Sequence, residues 1–146
     1  MPALLTDLYQ LTMLDAYLLQ TLLNARRFDR AVVVGQDARK ARPADLQIGR
    51  LLAQAYLGAH RPDDAVALLE EERRRRPSDP SVTLALATTL AEARRETQAM
   101  ALLAEAEPLF GTQVAYWFQK GAVLERFSRR TEAKAAFRAA PTPASW

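Results

Sequence analysis

Four segments of the chain share one pattern: RRFDRAVVV at residues 26–34, HRPDDAVALL at 60–69, RRETQAMALL at 94–103 and SRRTEAKAAF at 128–137. Their alignment places one alanine in register four times, at Ala31, Ala65, Ala99 and Ala133. Each of the three intervals between these alanines is 34 residues long. A constant period of this length indicates a repeat protein, in which each unit buries its apolar face against its neighbours.

The period divides the chain into four units. Starting each unit nineteen residues before its alanine gives repeats 12–45, 46–79, 80–113 and 114–140. A helical N-terminal extension, residues 1–11, and a short tail, residues 141–146, complete a predicted single domain of 146 residues. Position 8 of the unit is small in three repeats and is occupied by Leu19, Ala53, Ala87 and Gly121. Small residues at this position allow the two helices of a hairpin to approach closely.

Two other positions each have one exception. Position 24 is large and apolar in three repeats but is Gly35 in the first. Position 27 is alanine in three repeats but is Glu72 in the second. Helix-stopping residues close the first three units, at Pro43, Pro77 and Gly111. These residues indicate that the helices end where the period places the unit boundaries.

Alanine, leucine, arginine and glutamate, all good helix formers, dominate the composition, so an all-α chain is predicted. Each unit has a helix, a short turn and a second helix. The predicted helices span about 7–25, 28–41, 45–58, 62–76, 80–93, 96–109, 113–127 and 130–140. Asp45, Asp79 and Thr112 are expected to cap the first helices of the later units, and Pro80 suits a first helical position.

With these positions in place, residues 12–140 resemble the tetratricopeptide repeat family. The fourth unit is the most similar, through Trp117, Gly121, Leu124, Ala133, Phe137 and Ala140. The resemblance implies an all-α fold, a right-handed superhelical stack of four antiparallel helical hairpins of the tetratricopeptide-like α-solenoid type. It also implies a concave groove lined by the first helix of each hairpin, and a non-enzymatic role as a protein-protein interaction scaffold.

The resemblance predicts which residues line the groove and bind a peptide or a partner protein. They are Tyr17, Gln20, Gln47, Arg50, Gln54, Leu84, Thr88, Phe118 and Gln119. Aromatic and aliphatic side chains beside amide and guanidinium donors suit the binding of a polypeptide. Packing between hairpins is the alternative role for each of them, above all for Leu84 and Phe118.

The N-terminal string LLTDLYQLTMLDAY, residues 4–17, resembles the first motif of nicotinate phosphoribosyltransferases. That resemblance implies that Asp7 and Tyr9 lie near a pyridine ring. The remaining motifs of that larger enzyme family are missing, so the alternative interpretation is a fragment or fusion that is inactive alone. The other interpretation is a helical extension with an apolar stripe, formed by Leu5, Leu8, Leu11 and Leu14.

Composition argues against several functional classes. There is no cysteine, and the single histidine, His60, falls in a predicted turn, so neither catalytic residues nor a metal or cofactor site is expected. Twenty basic residues face 17 acidic ones, and the run Arg73–Arg76 suits a helix C-terminus, so nucleic acid is not expected as a partner. Asp7 and Asp15 interrupt the apolar N-terminus, which favours neither a signal peptide nor a membrane span and makes the cytoplasm the expected location.

The tail PTPASW, residues 141–146, is too short for the polar capping helix that repeat arrays need. An uncapped C-terminal hairpin leaves apolar side chains for a second copy of the chain, with Phe127, Phe137 and Trp146 as candidates. The sequence therefore predicts self-association through this hairpin.

Overall fold

The computed structural model describes the backbone of residues 2–142 and the side chains of residues 13–142. Eight helices occupy the described residues, and no strand occurs among them. They are α1 (Pro2–Asn24), α2 (Phe28–Ala41), α3 (Leu46–Gly58), α4 (Pro62–Arg75), α5 (Pro80–Glu92), α6 (Glu96–Phe110), α7 (Val114–Arg126) and α8 (Arg130–Ala139). The predicted all-α class is confirmed. Every helix lies close to its predicted position except α1, which begins at Pro2 rather than near residue 7.

The chain forms two compact units, residues 1–72 and residues 73–146. The first unit contains α1 to α3 and most of α4, and its core includes the fully buried Leu19, Ile48 and Leu69. The second unit contains α5 to α8, and its core includes the fully buried Leu103 and Leu124. Burial of one leucine side chain contributes roughly 1.5–3 kcal/mol, so each of these residues helps to stabilise its unit.

The four hairpin turns have the same backbone geometry. One residue in each turn has a positive φ: 58° at Arg26, 62° at His60, 64° at Arg94 and 61° at Ser128. The next residue donates its backbone N–H to the carbonyl five residues earlier, as Arg61 does to Tyr56 at 2.8 Å and Arg129 to Leu124 at 2.9 Å. This is a Schellman motif, which usually has glycine at the residue with positive φ. Sequence analysis did not predict these motifs because none of the four residues is glycine.

Two glycines mark places where helices approach closely. A Cβ atom on Gly121 would lie 2.4 Å from Cε1 of Phe137, which confirms the expected need for a small residue there. A Cβ atom on Gly35 would lie 2.8 Å from Cδ1 of Leu52. Gly35 is therefore an exception at its repeat position because Leu52 lies too close for a larger side chain there.

Two of the three predicted N-caps are confirmed. The carboxylate of Asp45 accepts a hydrogen bond from the Ile48 N–H at 3.2 Å, and that of Asp79 accepts one from the Ser81 N–H at 2.9 Å. The prediction for Thr112 is wrong, since the N-cap of α7 is Gln113, whose side chain makes no capping bond. Thr112 lies one residue outside the capping position, because α7 begins one residue later than predicted.

Candidate partner-binding face

The predicted binding residues of the first unit lie on α1 and α3, and all five are exposed: Tyr17, Gln20, Gln47, Arg50 and Gln54. On α3, Gln47, Arg50 and Gln54 follow one another at spacings of three and four, so they lie on one face of the helix. The opposite side of α3 is buried, with Ile48 and Leu52 in the core. Helix periodicity therefore positions this row of polar side chains toward solvent.

A shallow hollow of about 300 Å³ lies along this face of α3. It is lined by Leu46, Gln47, Arg50, Leu51 and Gln54. The two amides each donate and accept hydrogen bonds, the guanidinium donates several, and Leu46 and Leu51 add an apolar surface. Arg50 is the one charged side chain in this lining, so the hollow suits a group that is acidic or rich in hydrogen-bond acceptors.

On α1, Tyr17 presents its ring to solvent, and Gln20 donates a hydrogen bond to Asn24 at 3.1 Å. Met13, one turn before Tyr17, is also exposed and was not predicted as a binding residue. Its repeat position could have indicated this role, because Met13 stands at position 2, as Gln47 does in the next unit. We call Met13, Tyr17, Gln20, Gln47, Arg50 and Gln54 the first-unit partner face.

The second unit carries the other four predicted residues on α5 and α7. The hydroxyl of Thr88 lies 3.1 Å from Oε1 of Gln119, which joins the two helices on this side. Phe118 is 53% exposed, and Gln119 is exposed. We call Thr88, Phe118 and Gln119 the second-unit partner face.

Leu84 differs from the other predicted binding residues. It is only 8% exposed, so it packs in the interior and presents little surface to a ligand. Its position on α5 is the one that Arg50 and Phe118 occupy in the neighbouring repeats, and those two side chains are exposed. The sequence left open whether Leu84 binds a partner or packs between hairpins, and its burial favours packing.

The phenylalanines of the C-terminal hairpin are partly covered. The rings of Phe118 and Phe137 lie 5.8 Å apart between centroids, and Phe137 also covers Gly121. Phe127 and Phe137 are both half-buried, so the predicted bare apolar face is smaller than expected. Trp146, the third candidate for self-association, lies outside the described residues.

A buried ion pair was missed by sequence analysis. Glu72 accepts a 2.6 Å hydrogen bond from Nη1 of Arg39, and its side chain is 0% exposed. A second hollow, of about 530 Å³, lies between α2, α3 and α4 and has Arg39 in its lining. The only signal in the sequence was the break in the alanine pattern at position 27, because Glu72 otherwise looks like part of a solvated charged run.

Other polar groups of interest have structural partners. Burial raises the pKa of Tyr116 to about 12, with a further contribution from the Glu107 carboxylate, and the Tyr116 hydroxyl donates to the Leu103 carbonyl at 2.6 Å. In the run Arg73–Arg76, Arg73 pairs with Glu105 at 3.2 Å.

His60 is exposed at a hairpin turn, as predicted. Among residues 13–142, no three histidine or acidic side chains form a group suited to a metal ion.

A helix crosses a membrane only if it is long and apolar enough. Within the part of the chain that the structure describes, none of the helices combines the length and the apolar character that crossing a bilayer requires. The longest, α1, has 23 residues.

Comparisons with known proteins agree with this architecture. The tetratricopeptide repeat family matches residues 22–82. A thermophilic TPR protein from Thermus thermophilus is similar in structure, with a TM-score of 0.71, 21% identity, and coverage of 88% of this chain and 72% of that chain. No curated protein matches the sequence.

Two structures of MamA are also similar. MamA of MSR-1 has a TM-score of 0.63 at 19% identity, with coverage of 88% of this chain and 74% of that chain. MamA of AMB-1 has a TM-score of 0.61 at 19% identity, with coverage of 88% and 70%. At identities this low, the TM-scores establish a shared fold alone. The chain therefore has the all-α fold of tetratricopeptide repeat proteins, and residues 22–82 carry the sequence pattern of that family.

Proposed function

We propose that the chain is a non-enzymatic scaffold that binds a peptide or a partner protein on its first-unit and second-unit partner faces. The observation that carries this proposal is the row Gln47, Arg50 and Gln54, three exposed polar side chains that line one hollow on α3. Helix periodicity explains why the three side chains share one face, and what favours a binding role is the hollow that they line together. Their convergence on a hollow suits the recognition of a ligand.

The chemistry of the two faces favours a polypeptide partner. Gln47 and Gln54 are able to pair with the N–H and carbonyl groups of an extended polypeptide, while Arg50 binds an acidic side chain or carbonyl oxygens. Tyr17 and Phe118 offer aromatic surface, the kind that contributes most to protein interfaces. An acidic residue in the partner suits the first-unit partner face, and apolar side chains suit the aromatic residue on each face.

The proposal excludes two other classes of partner. The net charge of +3 is small for a nucleic-acid-binding protein of this length, and acidic side chains such as Glu105 neutralise part of the arginine run. A membrane is not proposed as a partner, and the proposed location is the cytoplasm. Self-association with a second copy of the chain remains part of the proposal.

A pull-down with a double variant tests the function. The variant carries Arg50→Glu and Phe118→Ala, one change on each partner face. Its matched control carries Arg30→Glu and Val33→Ala, a charge reversal and an apolar truncation at exposed sites on α2. The proposal predicts that a partner recovered with the wild type is lost with the first variant and retained with the control. Equal recovery with both variants contradicts the proposal.

The alternative function rests on the N-terminal string of residues 4–17, which resembles nicotinate phosphoribosyltransferases. The side chains of residues 1–12, including Asp7 and Tyr9, lie outside the described residues. A fragment or fusion is expected to be inactive alone, and nicotinate binding that Tyr9→Ala abolishes is the result that favours an enzymatic function. Calorimetric titration of nicotinate into the wild type and Tyr9→Ala distinguishes the two functions, since the scaffold proposal predicts no heat of binding in either protein.

A further inference from the structure

The outward face of α1 carries exposed apolar side chains. In the later repeats, the side chains at the same positions are buried. Leu14, at position 3 of the repeat, is 61% exposed, and Leu18, at position 7, is 44% exposed. At position 3 the later repeats have Ile48, Val82 and Tyr116, all fully buried. At position 7 the second and third repeats have Leu52 and Leu86, which are also buried. The first repeat therefore leaves uncovered a surface that the later repeats cover.

Contacts inside each unit show what covers these positions. Within the first unit, Leu52 on α3 packs against Gly35 on α2. Within the second unit, the hydroxyl of Tyr116 on α7 donates to the backbone carbonyl of Leu103 on α6 at 2.6 Å. Both partners, Gly35 and Leu103, occupy position 24, in the second helix of the preceding hairpin. Leu14 and Leu18 on α1 thus form a surface shaped for the second helix of another hairpin.

Helix α8 is the second helix of the last hairpin, and its side chains complement α1. Its exposed residues include Lys134 and Arg138 together with the small Ala135 and Ala139. Arg138 stands at position 25, where Gln36 on α2 donates a hydrogen bond to Tyr56 on α3 at 3.1 Å. Small residues allow close helix packing, and the long basic side chains extend beyond them.

The charges of the two helices are opposite. Within Pro2–Asn24 the charged residues are Asp7 and Asp15, which gives a net charge of −2, although Arg42 on α2 offsets part of it through its ion pair with Asp15. Helix α8 contains one acidic residue, Glu132, and three basic residues, Arg130, Lys134 and Arg138. Its net charge is therefore +2. Opposite charge guides association and fixes its orientation. An α1 face meeting a second α1 face brings like charges together, which disfavours that arrangement.

From this register and this charge we propose that α1 of one copy binds α8 of a second copy, head to tail, so that the repeat packing continues from one chain into the next. Such an interface is heterologous, because each copy offers two different surfaces. Each assembly retains one free surface of each kind at its ends, so the assembly grows with protein concentration. The proposal is independent of the partner faces, since Leu14, Leu18, Lys134 and Arg138 belong to neither.

Complementation between two variants tests the proposal. The head variant carries Leu14→Glu and Leu18→Glu, and the tail variant carries Lys134→Glu and Arg138→Glu. All four residues are exposed, so both variants keep the fold, which circular dichroism checks. Light scattering of the wild type is expected to give a mass that rises with concentration, whereas each variant alone stays at 16.3 kDa. An equal mixture is expected to give a complex of twice the monomer mass, because the intact α8 of the head variant binds the intact α1 of the tail variant.

The proposal is overturned by a wild type that stays monomeric at its highest soluble concentration, by a head variant that associates as the wild type does, or by a mixture that stays monomeric. The control is Val33→Glu, a charge placed on an exposed apolar residue of α2, which is expected to associate as the wild type does. Association of the tail variant alone points instead to an interface between two α1 helices, and that also overturns the proposal.

Discussion

Arg39 on α2 donates a 2.6 Å hydrogen bond to Glu72 at the end of α4, and the pair lies directly over Gly49 on α3. A Cβ atom on Gly49 would be 3.1 Å from Nη1 of Arg39 and 3.3 Å from Oε1 of Glu72. Three helices of the first unit therefore meet at one charged contact. The other repeats have alanine in place of Glu72. The pair explains the break in that pattern, since the carboxylate provides the partner that a buried guanidinium needs.

Removal of one member of this pair is expected to destabilise the protein strongly. Glu72→Ala leaves the guanidinium of Arg39 largely buried without its main partner, which costs about 3–5 kcal/mol. Replacing both residues, as Arg39→Met with Glu72→Ala, removes the uncompensated charge and is expected to recover most of that loss. Urea denaturation followed by circular dichroism measures the difference. A double variant as unstable as Glu72→Ala contradicts this account.

The close packing at Gly121 gives a second prediction. Gly121→Ala places a methyl group against the ring of Phe137, and overpacking of this kind costs typically about 1–3 kcal/mol. Adding Phe137→Leu makes room and is expected to return part of the lost stability. Thermal unfolding of the wild type, both single variants and the double variant forms a complete cycle. If the effects of the two substitutions on stability simply add, the methyl group does not clash with the Phe137 ring and the prediction is wrong.

The hairpin turns predict a substitution that stabilises. Ser128 has a φ of 61° and is exposed, so glycine relieves the cost of a left-handed conformation, roughly 1–2 kcal/mol, less the entropy that glycine loses on folding. Ser128→Gly is expected to raise the melting temperature. Ala122→Gly, on an exposed position inside α7, is the control and is expected to lower it, because helical glycine costs about 1 kcal/mol relative to alanine. A lower melting temperature for Ser128→Gly contradicts the prediction.

The cap at Asp79 predicts a dependence on pH. The hydrogen bond from the Ser81 hydroxyl is the main cause that lowers the pKa of Asp79, with further bonds from the Ser81 and Val82 backbone. The charged cap therefore stabilises the folded protein above the unfolded pKa, about 3.9, and its contribution is lost as the pH falls through the lower folded value. Asp79→Ala is expected to cost about 0.5–2 kcal/mol at pH 7 and less at about pH 3. An equal cost at both pH values rules out a charged cap.

The repeat pattern predicted most of the fold because position in the 34-residue unit determines which side of a helix is buried. The choice of Gln47, Arg50 and Gln54 as groove residues came from the resemblance to the tetratricopeptide repeat family, and helix periodicity accounts for their shared face. Sequence analysis left two roles open for Leu84, binding and packing, since the depth at which one side chain is buried depends on the neighbouring helices. The pair of Arg39 and Glu72 was missed for a related reason. A glutamate in a run of charges looks solvated until the fold brings an arginine from 33 residues away.

The central claim is that the face of α3 containing Gln54 binds a partner. Site-specific photo-crosslinking tests this claim directly, with a benzoylphenylalanine residue placed at Gln54 or, as the control, at the exposed Asp37 on α2. The account predicts a crosslinked product of defined mass from position 54 that Arg50→Glu abolishes, and no such product from position 37. A product from position 37 alone, or one from position 54 that survives Arg50→Glu, contradicts the claim.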